Sequence, residues 1–376
     1  MRPRLLDLLA CPDCQSPFQP EAFRYAEDAV VDGALDCNVC RARYPVINGI
    51  PRILRPELLA HVVALHPHFF DTYARSFPGL PAGSQRARSA TARTLASFSF
   101  QWNTFGQMYE QWEDNFLDYV RPLGPDFFPG KLGLDAGCGF GRHVHYAAKY
   151  GAEMVAMDLS DAVEAAAHNN RGFPNIHVIQ GDIYNPPFLP NTFDFCYSIG
   201  VIHHLPDPPA GFRSLTRFVK PGGTMSVWIY GPRVGLAERI TVALRRRTTT
   251  MEYGNLYRLC WVIAATLRLS SHLPYRLLSS FGRTRGLAQR LPFHGYAEMP
   301  FRTVIADAFD RLSVPLVRYY TAPEIRAWFE ADGFDAIQLH RRFLHNESWR
   351  ALGIKPTNPG AQDISEELRP QRQGAR

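Results

Sequence analysis

Short apolar runs alternate with segments of helical periodicity along the chain from residue 132 onward. Five apolar runs, LGLDA, AEMVAMD, NIHVIQ, FDFCYSI and TMSVWIY, occur in that order. Such runs, with little polar alternation, predict parallel strands that are buried on both faces. The segments between them, such as GRHVHYAAKY and AGFRSLTRFVK, predict helices. This alternation of strand and helix predicts a doubly wound α/β sheet.

The carboxyl-terminal third of the chain completes the sheet after an insertion. Thr321 is a predicted helix N-cap with Glu324 three residues later, and the helix ends at Gly333. A sixth strand follows it, and ESWRALGI predicts a seventh, antiparallel strand. Residues 232–318, before this helix, predict several helices broken by Gly and Pro. We expect residues 232–318 to form a helical cap over the substrate side.

The first strand leads into a glycine-rich turn. Asp135 is followed by Gly137, Gly139 and Gly141, and a predicted helix begins immediately afterwards. Glycines let a cofactor lie against bare backbone, as they do in nucleotide-binding folds. The spacing here is G-x-G-x-G rather than G-x-G-x-x-G. Because the carboxylate at position 135 repels phosphate and attracts ammonium, the turn suits a cofactor that has an amine and no phosphate.

The ends of the next three strands suit the remainder of such a cofactor. Asp158 ends the second strand, where a carboxylate can bind both ribose hydroxyls. Asp182 and Ile183 follow the third strand and could contact an adenine amino group and ring, and Ser198 ends the fourth. Together these blocks resemble the motifs of the class I S-adenosylmethionine (SAM) methyltransferases, of the methyltransferase type 11 kind.

The resemblance implies a Rossmann-like, seven-stranded methyltransferase sheet with SAM at the carboxyl ends of its strands. It assigns to the SAM site Asp135, Ala136, Gly137, Cys138, Gly139, Gly141, Asp158, Leu159, Asp182, Ile183 and Ser198. It also implies that the aromatic segment SFSFQWNTFGQMYEQW forms a lid over SAM and substrate. Trp102 would then face the sulfonium through a cation–π contact. Packing of this segment onto the sheet is an equal alternative.

Two Cys-x-x-Cys pairs stand at the amino end. Cys11 and Cys14 are separated from Cys37 and Cys40 by 22 residues, a spacing typical of a zinc ribbon with two thiolates from each pair. Disulfides are the competing interpretation. The apolar stretch LLDLLA is short and interrupted by Asp7, which does not suit a secretory signal. We therefore favour a reducing, cytoplasmic location and a structural zinc ion.

The residues around these cysteines narrow the interpretation. LLDLLACPDCQSPF and LDCNVCRARYPVINGIPRIL resemble the small zinc ribbon proteins that activate tRNA and protein methyltransferases. That family's ribbon covers an apolar surface of a separate methyltransferase subunit, which implies that a fused ribbon would bind in cis. We predict a zinc-ribbon domain at residues 1–55, a linker at 56–99 and a methyltransferase domain at 100–376.

Charge is concentrated in the predicted cap. The chain has a net charge of +6, but residues 232–318 contain 14 arginines, no lysines and five acidic residues, so they carry +9. Such a charge permits contact with nucleic acid or a membrane surface. The apolar run 260–267 is too short to span a bilayer. Its neighbouring arginines would suit a helix at the membrane surface, but we favour burial of the run within the cap.

Three residues are candidates for catalysis. His203 and His204 follow the fourth strand at the substrate edge, and histidine is the side chain best suited to act as a base near neutral pH. A His-His-Leu-Pro sequence also recurs as scaffold in the family, which is the favoured interpretation of both. Tyr230, at the end of the fifth strand, could donate a hydrogen bond to substrate.

The leading functional prediction is SAM-dependent methylation of a small or medium-sized metabolite. Methylation of tRNA, rRNA or protein is an alternative that the ribbon and the basic cap favour, so nucleic acid is a less favoured partner. The fourth strand ends Tyr-Ser-Ile-Gly, however, and lacks the Asn-Pro-Pro-Tyr type motif of enzymes that methylate planar nitrogen. A SAM-binding scaffold without catalysis is a third prediction. The sequence leaves the acceptor atom and the oligomeric state open.

Overall fold

One mixed sheet organises the chain. The computed structural model describes residues 1–79, 90–232, 236–342 and 348–357. The strands in this part are β1 (Phe18–Ala26), β2 (Ala29–Cys37), β3 (Arg43–Ile47), β4 (Ile50–Ile53), β5 (Leu132–Ala136), β6 (Glu153–Asp158), β7 (Ile176–Gly181), β8 (Phe193–Ile199), β9 (Val219–Tyr230), β10 (Asp335–Arg342) and β11 (Ser348–Ile354). Their order across the sheet is β1-β2-β3-β4-β7-β6-β5-β8-β9-β11-β10.

Helices cover the sheet and form the cap. Those in the described part are α1 (Pro3–Leu6), α2 (Pro56–Leu65), α3 (Pro67–Thr72), α4 (Ala90–Phe105), α5 (Trp112–Val120), α6 (Arg142–Lys149), α7 (Ala162–Asn169), α8 (Pro208–Thr216), α9 (Leu236–Thr248), α10 (Tyr253–Leu267), α11 (Leu273–Ser279), α12 (Arg285–Ala288), α13 (Phe301–Ser313) and α14 (Ala322–Ala331). A π-helical segment, Arg268–His272, joins α10 to α11. The Thr321 capping box predicted for α14 is present.

The sheet has more strands than the sequence predicted. Strands β7, β6, β5, β8 and β9 are parallel. Strand β11 pairs with β9 in antiparallel fashion and β10 pairs in the same way with β11, which accounts for the seven predicted strands. The prediction of seven is nevertheless wrong for the whole sheet, because β4 pairs in parallel with β7 and brings β1 to β3 with it. The added strands hydrogen-bond the edge of β7, which would otherwise present unpaired backbone groups.

The central strands are apolar throughout because both faces of the sheet are covered. All of β5 is buried. In β6, Val155 and Met157 belong to one hydrophobic cluster, whereas Met154 and Ala156 belong to another. Successive side chains of a strand point to opposite faces. The two clusters are therefore the cores on the two sides of the sheet, as expected for the doubly wound arrangement.

The amino-terminal module shares a core with the central sheet. Leu9 forms an isolated antiparallel bridge with Phe188, and the N–H of Ala10 donates to the carbonyl of Pro187 at 2.9 Å. Both Leu9 and Phe188 belong to one buried cluster. The module is therefore packed against the chain that follows it, in the cis arrangement that the sequence predicted.

The predicted linker is largely helical. Residues 56–72 form α2 and α3, whose Leu59, Val62 and Phe69 pack with Ala34 and Ile47 of the amino-terminal module. Helix α4 begins at Ala90 and crosses the predicted boundary at residue 99. Residues 80–89 of this segment, and 233–235 of the predicted cap, lie outside the described residues. The division at 55, 99 and 100 stays a prediction.

The insertion between β9 and α14 is helical, as predicted. Its core joins Leu256 and Cys260 of α10 to Ile305 and Phe309 of α13, and Phe105 of α4 packs there too. The expected burial of residues 260–267 holds on one face only, since Trp261 and Val262 are 49% and 55% exposed. No helix in the described part of the chain has the length and apolar character needed to cross a membrane.

Candidate active site

Four neighbouring strands bring the predicted cofactor residues to one edge of the sheet. Asp135 lies opposite Ala156 of β6 and Tyr197 of β8, and Asp158 lies opposite Gln180 of β7. The carboxyl ends of β5, β6, β7 and β8 are therefore side by side, where an open α/β sheet binds ligands. The structure thus brings together the predicted blocks that are far apart in the sequence.

The turn after β5 requires glycine for two reasons. Gly137 and Gly139 have φ angles of 91° and 53°, in the left-handed region. A Cβ atom on Gly137 would lie 2.4 Å from Val201 Cγ2, and one on Gly139 would lie 3.2 Å from Trp102 Nε1. The absence of side chains at these two positions lets Val201 and Trp102 pack directly against the turn.

Asp158 holds the glycine turn in place. Its Oδ2 accepts from the Gly139 N–H at 2.9 Å, and its Oδ1 accepts from the N–H and Oγ of Ser160 at 2.8 and 2.6 Å. Burial raises the pKa of Asp158 against the effect of these hydrogen bonds. The carboxyl group therefore has a fixed orientation. Hydrogen bonds from the ribose hydroxyls of a cofactor would add to this structural role.

Asp135 is a buried acid without a partner. Its side chain is wholly buried, and neither carboxyl oxygen accepts a hydrogen bond from any described residue. Burial and the nearby Asp158 raise its pKa well above the usual range, although Arg142 opposes them. A buried charge is costly unless it is paired. The donor set at this edge thus fits a ligand that brings a cationic nitrogen to Asp135.

The other predicted cofactor residues have local partners. Asp182 accepts from the Tyr184 N–H at 2.9 Å and from Arg55 at 3.2 Å. The Ser198 hydroxyl donates to the carbonyl of Ala136 at 2.7 Å and is buried, so it supports the end of β5. The sequence did not identify Arg55, because only the pairing of β4 with β7 brings it to Asp182.

Two aliphatic side chains were also assigned to the cofactor. Ile183 is buried beside this edge, and Leu159 is half-buried and packs against the cluster formed by α2 and α3. Cys138 is buried within the turn. Their contacts with a ligand stay predictions.

A cavity of about 210 Å³ adjoins the glycine turn. It lies between α4 and α5, the ends of β8 and β9, and α13 of the cap. Aromatic side chains make up much of its wall, including Trp102, Trp112, Tyr119, Phe140, Trp228 and Tyr230. Trp102 lies over the turn with its ring centroid 5.3 Å from that of Phe140. The aromatic segment predicted as a lid therefore does border the cavity.

Polar groups interrupt this aromatic wall. Arg142 lies over Trp112 and Phe140, at 4.8 and 5.7 Å from their ring centroids, and forms no ion pair with any described carboxylate. Burial lowers its pKa. Gln101 is 1% exposed, and no described donor reaches its Oε1. No role was predicted for Arg142 from the sequence, although its position directly after the glycine turn is a usable signal.

The three catalytic candidates differ in their access to the cavity. Tyr230 lines it, and its hydroxyl donates to Asp310 at 3.4 Å. His203 is buried behind Tyr230, with a distance of 4.0 Å between ring centroids. His204 lies with its Nδ1 2.7 Å from the carbonyl of Leu316. Neither histidine is part of the cavity wall, which fits a scaffold role, while the catalytic roles of all three stay predictions.

The four amino-terminal cysteines converge as the sequence predicted. The sulfur atoms of Cys11, Cys14, Cys37 and Cys40 all lie within 4.8 Å of one another. The pairs Cys11–Cys40 and Cys14–Cys37 have Sγ–Sγ distances of 3.4 and 3.3 Å, and none of the four cysteines forms a disulfide. Thiolates around tetrahedral zinc are about 3.8 Å apart, given a Zn–S bond of about 2.3 Å. The cluster therefore fits a tetrahedral metal site.

Comparison with known proteins identifies two segments. Residues 134–227 match the family described as methyltransferase domain, and residues 2–49 match the family described as Trm112p-like protein. A phosphoethanolamine N-methyltransferase of Triticum aestivum is 36% identical over 108 residues, which are 28% of this chain and 21% of that relative. A ubiquinone biosynthesis O-methyltransferase of Methylococcus capsulatus is 29% identical over 135 residues, or 32% of this chain and 57% of that one.

A solved structure gives a weaker match. The magnesium protoporphyrin IX methyltransferase of Synechocystis, with bound SAH, has a TM-score of 0.42 and 15% identity, covering 69% of this chain and 97% of that one. The first curated relatives are matched over about a quarter of their own length, at 26% and 21%. Both resemblances stated from the sequence are confirmed by the family matches. The chain therefore joins a Trm112p-like segment to a segment of the methyltransferase domain family.

Proposed function

We propose that this protein is a SAM-dependent methyltransferase that acts on a small or medium-sized metabolite. The observation that carries the proposal is Asp135, a wholly buried carboxyl group without a described partner, at the start of the glycine turn on which Trp102 packs. SAM carries an amine that can pair with such an acid. The methyltransferase family match covers Asp135, Asp158 and Asp182.

Different residues at the sheet edge would bind different parts of SAM. Asp135 would bind its amino group, Asp158 its ribose hydroxyls, and Ile183 with Leu159 its adenine. Trp102 would lie near the sulfonium, where an aromatic face attracts a cation. When bound, SAM supplies an electrophilic methyl group that the acceptor atom displaces in line. The protein contributes by holding the acceptor in an enclosed site from which water is largely excluded.

The cavity supports a discrete acceptor. Cap residues from α13 line one side of it, and aromatic side chains from α4 and α5 line another. Arg142 and the amide of Gln101 are available there to bind a polar or acidic group of the acceptor. Relatives named for phosphoethanolamine and ubiquinone biosynthesis support acceptors of metabolite size.

We also propose that the four-cysteine cluster binds one structural zinc ion. The thiols lie at distances that suit a tetrahedral site, and the matching Trm112p-like family supports the assignment. The ion would stabilise the module that covers the edge of β7.

The decisive test of the acceptor class is transfer of labelled methyl from SAM into a fractionated lysate. We expect label in the small-molecule fraction, unchanged by nuclease or protease treatment. Label that enters RNA and is lost on nuclease treatment would instead support a macromolecular methyltransferase. Calorimetry without detectable SAM binding would contradict the cofactor assignment itself.

Replacing Asp158 with asparagine should weaken SAM binding at least about tenfold, since hydrogen bonds to a charged group contribute about 1.5 to 3 kcal/mol. Titration calorimetry measures the change. Asp207→Asn is the matched control, because Asp207 caps α8 and is not one of the predicted SAM-site residues, and asparagine is an equally good cap. Equal SAM affinity in Asp158→Asn and the native protein would show that Asp158 does not bind SAM.

Tyr230→Phe should lower the rate of methyl transfer by about tenfold, through loss of one hydrogen bond of about 1.5 kcal/mol, and leave SAM affinity unchanged. The control is Tyr319→Phe, since the Tyr319 ring stacks on Tyr230 at 6.4 Å and its hydroxyl bonds to Glu238. Rates of label transfer at saturating SAM distinguish the two variants. An unchanged rate in Tyr230→Phe would show that its hydroxyl takes no part in the reaction.

A further inference from the structure

The helical insertion exposes a row of large apolar side chains. Leu269, Leu273 and Leu277 recur every four residues along the π-helical segment and α11, and residues at this spacing share one side of a helix. Phe281 follows two residues after the end of α11. The four side chains are 70%, 42%, 67% and 67% exposed. We call these four side chains the apolar cap row. None of them belongs to a core cluster of the described residues.

The row lies within a larger apolar surface. Eight of the sixteen exposed large apolar side chains of the described chain fall in residues 261–293, which are less than a tenth of the sequence. The other four are Trp261, Val262, Leu287 and Phe293. Scattered exposed apolar residues are normal, whereas a concentration of them marks an interaction surface.

The charge of the same segment is of one sign. Residues 261–293 contain five arginines, no lysine and no acidic residue. Arg268 turns inward and donates to the carbonyls of Ala297 and Met299. Arg283, Arg285 and Arg290 are exposed, and none of the three forms an ion pair within the described residues. Arg276 pairs with Glu298, just outside the segment, at 3.4 Å. The surface is therefore both apolar and cationic.

These two properties together select the partner. A second copy of this chain would place the same arginines opposite one another, which is repulsive in a two-fold interface. Nucleic acid attracts arginine but offers no apolar phase to aliphatic side chains. An anionic bilayer accepts both, because apolar side chains enter the boundary of its acyl chains while arginines contact lipid headgroups.

We propose that residues 261–293 bind the surface of an anionic lipid bilayer, with the apolar cap row inserted at the headgroup boundary. The protein lies on the membrane and does not cross it, in agreement with the absence of a spanning helix from the described chain. Tyr296 and Met299, shortly after this segment, line the cavity. Membrane binding therefore brings the cavity near membrane-borne acceptors. This consequence rests on the proposed function, whereas the membrane binding itself does not depend on it.

Vesicle co-sedimentation of the full chain tests the proposal. We expect binding to phosphatidylcholine vesicles that contain phosphatidylglycerol to exceed binding to pure phosphatidylcholine by about tenfold or more. Raising the salt from about 0.1 M to about 1 M, which shortens the Debye length from about 10 to about 3 Å, should weaken it strongly. Equal binding to both vesicle types, or no binding to either, would overturn the proposal.

Two variant pairs separate the apolar and the charged contributions. The double variant Leu277→Glu, Phe281→Glu should reduce vesicle binding about tenfold or more. The control is Val39→Glu with Leu189→Glu, which adds the same charge at exposed apolar residues elsewhere and should leave vesicle binding unchanged. Circular dichroism and SAM affinity verify that the variants fold and keep their cofactor site. Equal vesicle binding by the Leu277 and Phe281 variant and its control would contradict the insertion of the row.

The charged pair is Arg283→Gln with Arg285→Gln, and its control is Arg171→Gln with Arg326→Gln. We expect only the first to lose the preference for phosphatidylglycerol. Sedimentation velocity and RNA gel retardation are run in parallel on the native protein. Two results would overturn the membrane as the partner if no vesicle binding is seen. A dimer that dissociates in the Leu277 and Phe281 variant would identify a second copy of the chain as the partner. RNA binding that is lost in the Arg283 and Arg285 variant would identify RNA.

Discussion

Replacing Asp135 with asparagine is expected to stabilise the protein in the absence of SAM and to remove most of its affinity for SAM. The native side chain is fully buried and its carboxyl oxygens have no described partner, so an uncharged amide of the same size relieves a desolvation cost. We expect a gain of about 2 kcal/mol in the free energy of unfolding. The same change removes the proposed partner of the SAM amino group, which lowers SAM affinity roughly 30- to 150-fold.

The pH dependence of this effect follows from the raised pKa of Asp135. Because its pKa is higher in the folded than in the unfolded chain, the folded state holds the proton more tightly, and the contribution of Asp135 to stability falls as pH rises through that range. Asparagine has no such dependence. The stability gain of Asp135→Asn should therefore be larger at pH 8 than at pH 5. The SAM affinity of the native protein should decrease as pH falls, because protonation neutralises Asp135, the proposed partner of the SAM ammonium group.

Thermal and denaturant unfolding with and without SAM, together with calorimetry, measure these opposed effects. Asp194→Asn is the contrasting control, because Asp194 is paired. It binds Lys220 and the N–H of Leu132, each at 2.8 Å, at the opposite end of β8. Burial opposes its ionisation, yet these donors lower the pKa of Asp194. Asp194→Asn should lose stability and keep SAM affinity. Loss of stability in Asp135→Asn with undiminished SAM binding would show that Asp135 is a structural acid.

Removal of zinc should unfold the amino-terminal module. Apparent binding free energies of structural zinc in small ribbons are about 10 to 16 kcal/mol, and a module of this size has little core of its own. In this chain the loss spreads further, because the module covers the edge of β7 and packs on α2 and α3. We expect zinc-depleted protein to become protease-sensitive before about residue 79, to unfold at a lower temperature and to aggregate through the exposed strand edge.

Metal analysis should find close to one zinc ion per chain, lost on replacement of Cys11 or Cys37 by serine. Cys260→Ala is the matched control, since Cys260 is a buried thiol of the cap core far from the cluster. It should retain zinc and protease resistance. Zinc-free protein with unchanged protease resistance and unfolding temperature would contradict a structural role for the ion.

Loss of zinc should also reach the cofactor edge of the sheet. Arg55, two residues after β4, pairs with Asp182, and His61 of α2 lies 3.0 Å from Asp161. Both acids belong to segments that border the predicted SAM site. Weaker SAM binding by the Cys11→Ser protein is therefore expected as a secondary effect, and Arg55→Gln should reproduce part of it in protein that keeps its zinc.

The sequence by itself determined the central part of the fold and the chemistry of its edge. Strand and helix periods, the spacing of the glycines and the identities of Asp135 and Asp158 are local properties, so they can be seen without coordinates. The same holds for the paired cysteines, because each Cys-x-x-Cys motif is local and can be recognised without knowing where the two motifs lie relative to each other in space. The core sheet and the converged cysteine cluster agree with those predictions.

Only the tertiary structure decided which side chains are paired, which face the cavity and which remain exposed. The addition of β4 to β7 could not be predicted, because any uncovered parallel strand edge accepts a partner and the sequence does not name it. That pairing placed Arg55 on Asp182, and strand register turned Ser198 toward Ala136. Residues 261–293 have an apolar content that suits burial or exposure equally well. Their exposure depends on which helices pack beside them, and that choice belongs to the whole fold.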